Sequence, residues 1–313
     1  MSSRCRDVLL CAWLFAVALG ALGARDVRAD EPAGPAAAAA RAPQPADAPS
    51  PTAPPSTLRV CADPDNLPYS RIDETGFENR IARLVADDLH LALRYAWQPQ
   101  IRGVARKSFG EDVCDVLIGV PIGFERVLTT RPYYRSGYVF VTRTDRASAL
   151  RSFDDPRLPS LAIGVQLIGD DLAATPPGHA LARHRAVERV VGYPVYGEGP
   201  AAARAIADLA AGRLDAALLW GPQAGYFAAR SAVPMQLAAA RAPADLAMPF
   251  EFAIAMAVRP GNAALRQRLD AVIEHRRADI DAILDAYQVP RRWLGVAGTT
   301  GEAAAPGDAG ARQ

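Results

Sequence analysis

The stretch from Cys114 to Arg143, CDVLIGVPIGFERVLTTRPYYRSGYVFVTR, gathers the side chains most able to hold a ligand. Val116 to Val120 is a short run rich in Val and Ile and reads as a buried strand. Gly119, Pro121 and Gly123 break it, and Glu125-Arg126 follows. Open α/β sheets present ligand groups on such a turn, at the carboxyl end of a strand. A guanidinium there can give a carboxylate two parallel hydrogen bonds. The plainer reading is a surface or interlobe Arg126 paired with Glu125 or an Asp. Tyr133 and Tyr134 then lead to a second strand, Tyr138 to Thr142. Catalytic signatures are missing: there is no Gly-x-Ser-x-Gly, His-Glu-x-x-His, P-loop or Cys-x-x-Cys-His. The acidic loop Asp63-Pro64-Asp65-Asn66-Leu67-Pro68-Tyr69 lacks the Gly and closing Glu of an EF-hand. His90, His179, His184 and His275 do not cluster at metal-ligand spacing. Binding is therefore expected rather than catalysis, with no catalytic residue, metal or cofactor. A catalytic set assembled only in three dimensions stays open.

The elements around this stretch read as an α/β protein. Leu58 to Ala62 is a strand, Phe77 to Leu89 a helix with Ile81, Leu84, Val85 and Leu89 on one face, and Leu91 to Trp97 a strand. A short helix near Val104 to Phe109 completes the alternation of a parallel sheet with covered faces. Beyond Ser152, strands are expected at Leu161 to Gln166, Val190 to Tyr196 and Asp215 to Trp220. Helices are expected from Gly169-Asp170-Asp171 and over Pro200 to Ala211, the latter stopped by Gly212. Met248 to Val258 reads as a returning strand. Asn262 caps a helix bearing Leu265, Leu269, Val272 and Ile273, and a last helix carries Ile280, Ile283, Leu284 and Tyr287.

Residues 1–29 have the grammar of an export leader: Arg4 and Arg6, then the apolar Val8 to Leu22, then a cleavage site at Ala29. Residues 30–57 are Ala/Pro-rich and read as a disordered linker, and residues 296–313 as a disordered tail. No later apolar run is long enough for a membrane anchor, so a periplasmic protein is expected. With 35 Lys and Arg against 34 Asp and Glu, nothing favours a nucleic acid or an anionic membrane surface. Cys61 and Cys114 are the two cysteines beyond the leader, and an even count in an oxidising compartment suggests a bridge, two buried thiols being the alternative.

The central stretch resembles the signature of the two-lobed periplasmic receptors for polar amino acids, through Cys114-Asp115-Val116, Glu125-Arg126 and Pro132-Tyr133-Tyr134. CADPDNLPYS (Cys61 to Ser70), GFENRIA (Gly76 to Ala82), Ile118 to Val141 and WGPQAGYFA (Trp220 to Ala228) resemble a narrower group. These are the binding-protein-like J proteins (MoxJ/XoxJ) encoded beside PQQ-dependent methanol dehydrogenases. The resemblance implies the type II periplasmic-binding-protein fold, two α/β lobes joined by a two-segment hinge around a cleft. Lobe one would comprise residues 58–145 and 246–295, and lobe two residues 146–245. It also implies that the strands carrying Cys61 and Cys114 are neighbours, which favours the disulfide.

In the receptors, the Arg at the position of Arg126 grips a ligand carboxylate. The hydroxylated residues before it are Val120-Pro121 here, and the anion-binding helix start is Gly169-Asp170-Asp171. The acid that would hold a ligand amine aligns with Trp220. Amino-acid recognition is thus lost at both ends, and an aromatic cleft is expected, built from Asp63, Asn66, Tyr69, Arg126, Tyr133, Tyr134, Gln166, Asp170 and Trp220. At least one of Tyr133 and Tyr134 is expected to be ordinary core. The resemblance implies as partner a PQQ-dependent methanol-type dehydrogenase, and with it a cytochrome c. The alternative is a receptor of an ABC importer for a small organic ligand.

Overall fold

The computed structural model describes residues 57–99, 109–124, 126–146, 150–168, 173–195 and 199–291. The leader, the linker as far as residue 56, the tail, Asp170 and nearly all of the helix expected near Val104 lie outside these residues, and Thr57, expected to end the linker, is strand. In chain order the strands are β1 (Thr57–Ala62), β2 (Asp65–Asn66), β3 (Ser70–Arg71), β4 (Ala92–Trp97), β5 (Val116–Pro121), β6 (Leu128–Thr129), β7 (Tyr134–Arg143), β8 (Ile163–Ile168), β9 (Ala173–Ala174), β10 (Val190–Pro194), β11 (Ala216–Trp220), β12 (Met235–Ala239) and β13 (Glu251–Val258). The helices are α1 (Phe77–Asp88), α2 (Pro176–Arg183), α3 (Ala201–Ala210), α4 (Gly221–Ala228), α5 (Ala263–His275) and α6 (Arg277–Ala286).

The main sheet runs β10-β8-β11-β7-β13-β5-β1-β4, with β12 added to β7, β6 to β13 and β9 to β8. Alternate side chains of each strand enter different cores, as a pleat requires. Val116 and Ile118 of β5 and Ile254, Met256 and Val258 of β13 meet Phe77, Ile81 and Val85 of α1 and Leu269 and Val272 of α5. Leu117 and Ala257 turn to the other face, with Phe109 and the two cysteines, and Val120 joins them because the backbone at Gly119, φ 84°, breaks the alternation. In the other half, Phe140, Val165 and Leu218 pack under Leu150, Phe153 and Leu181. Val139, Val141 and Leu219 pack with Ile206 and Leu209 of α3 on the opposite face. Both halves of the sheet are therefore covered on both sides.

Two strands cross between the halves. The first residues of β7 pair with β13, Arg135 opposite Ala253, while its later residues pair with β11 and β12. β13 continues along β5 and β6. Strand directions follow from these pairings. β1 and β5 are parallel, β5 is antiparallel to β13, β13 to β7 and β7 to β11, while β8 is parallel to β11. The carboxyl ends of β1 and β5 thus point toward the carboxyl ends of β8 and β11.

Local differences from the sequence reading have physical causes. β7 begins at Tyr134 rather than Tyr138, because β13 supplies partners that polar Arg135 and Ser136 do not advertise. The helix expected from Gly169 is found from Pro176. Ala173 and Ala174 pair instead with Ile168 and Leu167, and Pro at the first helical position suits a helix start. Helix α4 and strand β12 are absent from the expectations, since Gly221, Pro222 and Gly225 read as breakers. The Asn262 cap is present, its Oδ1 accepting from the Leu265 amide at 3.2 Å.

Cys61 and Cys114 are bonded, with a Cα–Cα distance of 5.5 Å, between adjacent strand segments, and both are buried. Beside the bridge, Asp115 takes the Arg59 amide at 2.9 Å and its guanidinium at 2.7 Å. The bridge closes a loop with a sequence separation of 53. The joint Cys61→Ala and Cys114→Ala variant is expected to lose about 4 kcal/mol of unfolding free energy in urea, the chain-entropy value for such a loop. An unchanged midpoint would rule out a structural role for the bridge.

Candidate functional site

Of the expected site residues, Asp63, Asn66, Tyr69, Gln166 and Trp220 lie on or just after the carboxyl ends of β1, β8 and β11, and Asp170 lies outside the described residues. The loop after β1 is shaped by Ser70, whose hydroxyl donates to the Asp63 carbonyl at 2.8 Å and accepts the Asp63 amide at 3.1 Å. Asp63 Oδ1 accepts the Asp65 amide, and Asn66 pairs with Ser70 in a two-stranded hairpin. Gly76 lies so close to Tyr69 that a Cβ there would overlap its carbonyl. This brings Tyr69 against Phe77 at 5.3 Å between ring centroids.

Across from this loop, β11 ends in Trp220. Gln166 of β8 is buried, and its Oε1 accepts the Trp220 amide at 2.8 Å while its Nε2 donates to Gln223 at 2.6 Å. Gln166 thereby ties β8 to the start of α4. Trp220 packs edge-on against Tyr138 of β7 and Phe252 of β13, at 5.3 and 5.7 Å. The Tyr69 hydroxyl faces the Trp220 indole. The aromatic set continues through Phe77 to Tyr134 and Tyr133.

Tyr133 and Tyr134 are both buried members of the core around α1. Beside them lies a group that the sequence reading did not single out. Glu78, 7 % exposed, sits in the first turn of α1 and abuts Gly119, where a Cβ would overlap its carboxylate. It makes no hydrogen bond or ion pair among the described residues, and its oxygens are not among the sealed, unpartnered polar atoms, so they keep some contact with solvent. The Tyr133 hydroxyl does lie sealed, beside the Gly119 backbone and without a well-formed hydrogen bond. Burial pushes the Glu78 carboxyl well above the usual glutamate range. It also raises Tyr69, Tyr133 and Tyr134, each further raised by the Glu78 charge. Tyr138 is pushed up to about 12 by burial. An acid in the first turn of a helix is routine, so nothing in the sequence marks Glu78.

Arg126 stands apart from this cluster. It is exposed, in left-handed backbone at φ 63°, and makes no ion pair among the described residues. Its turn also exposes Ile122 and Phe124, and Ile72 and Ile168 are exposed near the ends of β3 and β8. The ends of β3, β5 and β8 therefore carry exposed apolar side chains, and one poorly solvated carboxyl lies against Gly119 of β5. Among the described residues there is no group of three His, Cys, Asp or Glu suited to a metal, and no helix long and apolar enough to cross a membrane.

No family model matches the chain. Among curated proteins, it is 32 % identical over 252 residues to protein MoxJ of Methylorubrum extorquens, covering 75 % of this chain and 81 % of that protein. Among solved structures, the periplasmic binding protein XoxJ from Methylobacterium extorquens AM1 is 39 % identical. The match covers 75 % of this chain and 99 % of that one, with a TM-score of 0.63. MxaJ from Methlophaga aminisulfidivorans MPT, 23 % identical with a TM-score of 0.66, covers 75 % of this chain and 100 % of its own and shows the shared fold. Amino-acid-binding proteins share that fold as well.

The Glu78 environment sets a pH dependence. A carboxyl whose folded pKa is raised binds its proton more tightly in the native state, so stability falls as pH rises from the ordinary glutamate value toward the raised one. Glu78→Gln removes that dependence. The variant should match the native protein near pH 4 and exceed it in urea stability at pH 7.5. Equal stability at both pH values would show that Glu78 is not strained by its burial.

Proposed function

The chain belongs to the MoxJ/XoxJ family of periplasmic binding proteins, and we propose from that premise that it is an accessory binding protein of a PQQ-dependent methanol-type dehydrogenase. In this reading it acts in the periplasm, without catalysing a reaction, and assists maturation or activation of the dehydrogenase. A protruding segment of the partner enters between the strand ends, and the cytochrome c of the same system is a further partner.

The observation that carries this reading is the character of the cleft rim. Ile72, Ile122, Phe124 and Ile168 are each exposed at or just beyond the end of a strand, and the resemblance aligns Trp220 with the acid that holds a ligand amine in solute receptors. Aromatic and Arg side chains dominate binding energy when a partner covers them. A free amino acid leaves such a rim in water. Two lobes on a hinge can open around a loop as well as around a solute.

Trp220 packs against both crossing strands, so its removal would act through folding as well as binding. Phe124, 40 % exposed, is the cleaner probe. Phe124→Ala is expected to weaken binding to the apo dehydrogenase roughly thirtyfold, the effect of losing an interface anchor, with an unchanged melting temperature. Biolayer interferometry with the dehydrogenase of the same organism measures this. Calorimetry against the common polar amino acids should find no submicromolar ligand. A protein that ignores apo and holo dehydrogenase at micromolar concentration, yet binds a small solute, would be the receptor of an importer instead.

A further inference from the structure

Strand β12 leaves one edge open, and which residues face outward follows from its register. Met235 to Ala239 lie opposite Arg143 to Val139 of β7. Opposed residues in an antiparallel pair alternate between bonded and non-bonded. The Ala240 amide donates to the Tyr138 carbonyl at 2.9 Å and the Thr144 amide to the Pro234 carbonyl at 3.0 Å, so Gln236 and Ala238 are the bonded residues between them. Met235, Leu237 and Ala239 therefore direct their N–H and C=O groups away from β7. β12 pairs with no other strand among the described residues.

A groove runs along that open edge. It is an open depression of about 1130 Å³, walled by Met235, Leu237 and Ala239 on one side and by Gly225, Ala228 and Ala229 of α4 on another. Residues 288–290 line it too, and none of the expected cleft residues does. Gly225 keeps α4 against this segment, since a Cβ there would overlap the Gln288 carbonyl. Three Arg and one acid line the groove: Arg151, Arg241 and Arg291, with Asp285. Arg291 is paired with Asp281 and Asp285. Arg151 and Arg241 are exposed and have no ion pair among the described residues.

We propose that this groove is a docking site for an extended acidic segment of a partner protein, which adds a strand to the open edge of β12 and sets its carboxylates on Arg151 and Arg241. Main-chain hydrogen bonds to an open edge give such sites affinity, and side-chain pockets give selectivity. Five residues of β12 offer an edge of about 17 Å, enough for a short strand. The unpaired guanidinium groups select against basic segments. The site is independent of the cleft.

The probe is a fluorescein-labelled peptide of alternating Glu and Val, with alternating Lys and Val as control, read by anisotropy at low salt. Strand addition predicts binding in the tens of micromolar, about tenfold or more tighter than the Lys peptide. Arg151→Glu with Arg241→Glu should invert the preference. Ala239→Pro removes an outward N–H, which an edge strand tolerates. It should weaken binding about tenfold with an unchanged melting temperature. Amide exchange over residues 235–239 should slow in the complex. No binding below millimolar peptide, or binding indifferent to Ala239→Pro or without slowed exchange at β12, would overturn the proposal. So would a dimer in light scattering that Ala239→Pro dissolves, since the edge would then belong to a second copy.

Discussion

The antiparallel pairing of β7 with β13, Tyr134 to Gly137 against Ile254 to Glu251, sets the geometry on which the ligand-facing end of this molecule depends. Because β7 runs on from β13 to β11, the strands of one half point against those of the other, and their carboxyl ends meet. The crossing is packed tightly. Ser136 is buried and donates to the Pro290 carbonyl at 3.1 Å, and a Cβ on Gly221 would overlap the Gly137 carbonyl. The first turn of α4 thus rests directly on the crossing strand. Trp220, one residue earlier, is held by the Gln166 amide from β8 and by the rings of Tyr138 and Phe252 from the two crossing strands. Its position reports the relation of the halves, because each half supplies part of its seat.

A second set of contacts ties α4 to the other half from outside. Tyr226 stacks on Tyr287 at 5.6 Å, Arg230 lies 3.6 Å over Tyr226, and Arg80 lies 5.3 Å over Tyr287. Cation–π pairs at an exposed site contribute about 0.5–1 kcal/mol each. The ladder is therefore a modest brace beside the crossing itself.

Most of the sheet was legible because buried strands announce themselves. Val116 to Val120, Leu58 to Ala62 and Asp215 to Trp220 are apolar runs bounded by breakers, and each is a strand within a residue or two. What was hidden depends on partners distant in sequence. Met235 to Ala239 is a strand because β7 lies beside it, and Arg135 and Ser136 are strand because β13 does. Gly221, Pro222 and Gly225 look like a loop. Two of them are glycine because the crossing strand and Gln288 leave no room for a Cβ, which only the fold reveals. Of the expected site residues, the Tyr69 hydroxyl lies by Trp220, and Gln166 holds the latter. Tyr133 and Tyr134 went to the core, a role that aromatic type alone cannot separate from lining a cleft.

Glu78 bears on what the cleft can hold. A carboxylate shielded from water and left without a cation is unfavourable, and its neighbours Tyr69, Tyr133, Tyr134 and, more remotely, Tyr95 carry no positive charge. The macrodipole of α1 offsets part of that cost, since the carboxylate lies in the first turn. A neutral Glu78 is a hydrogen-bond donor, and an ionised one is a seat for an ammonium or guanidinium. An occupant's carboxylate would meet repulsion there, and the exposed Arg126 lies apart on the apolar turn with Ile122 and Phe124. A small zwitterion would have to reach both poles at once across aromatic rings. A chain segment need not, because it can lay apolar side chains on the rim while a single polar group reaches the floor. Under the proposed function, exposed apolar side chains beside a buried acid suit a chain segment better than a free amino acid.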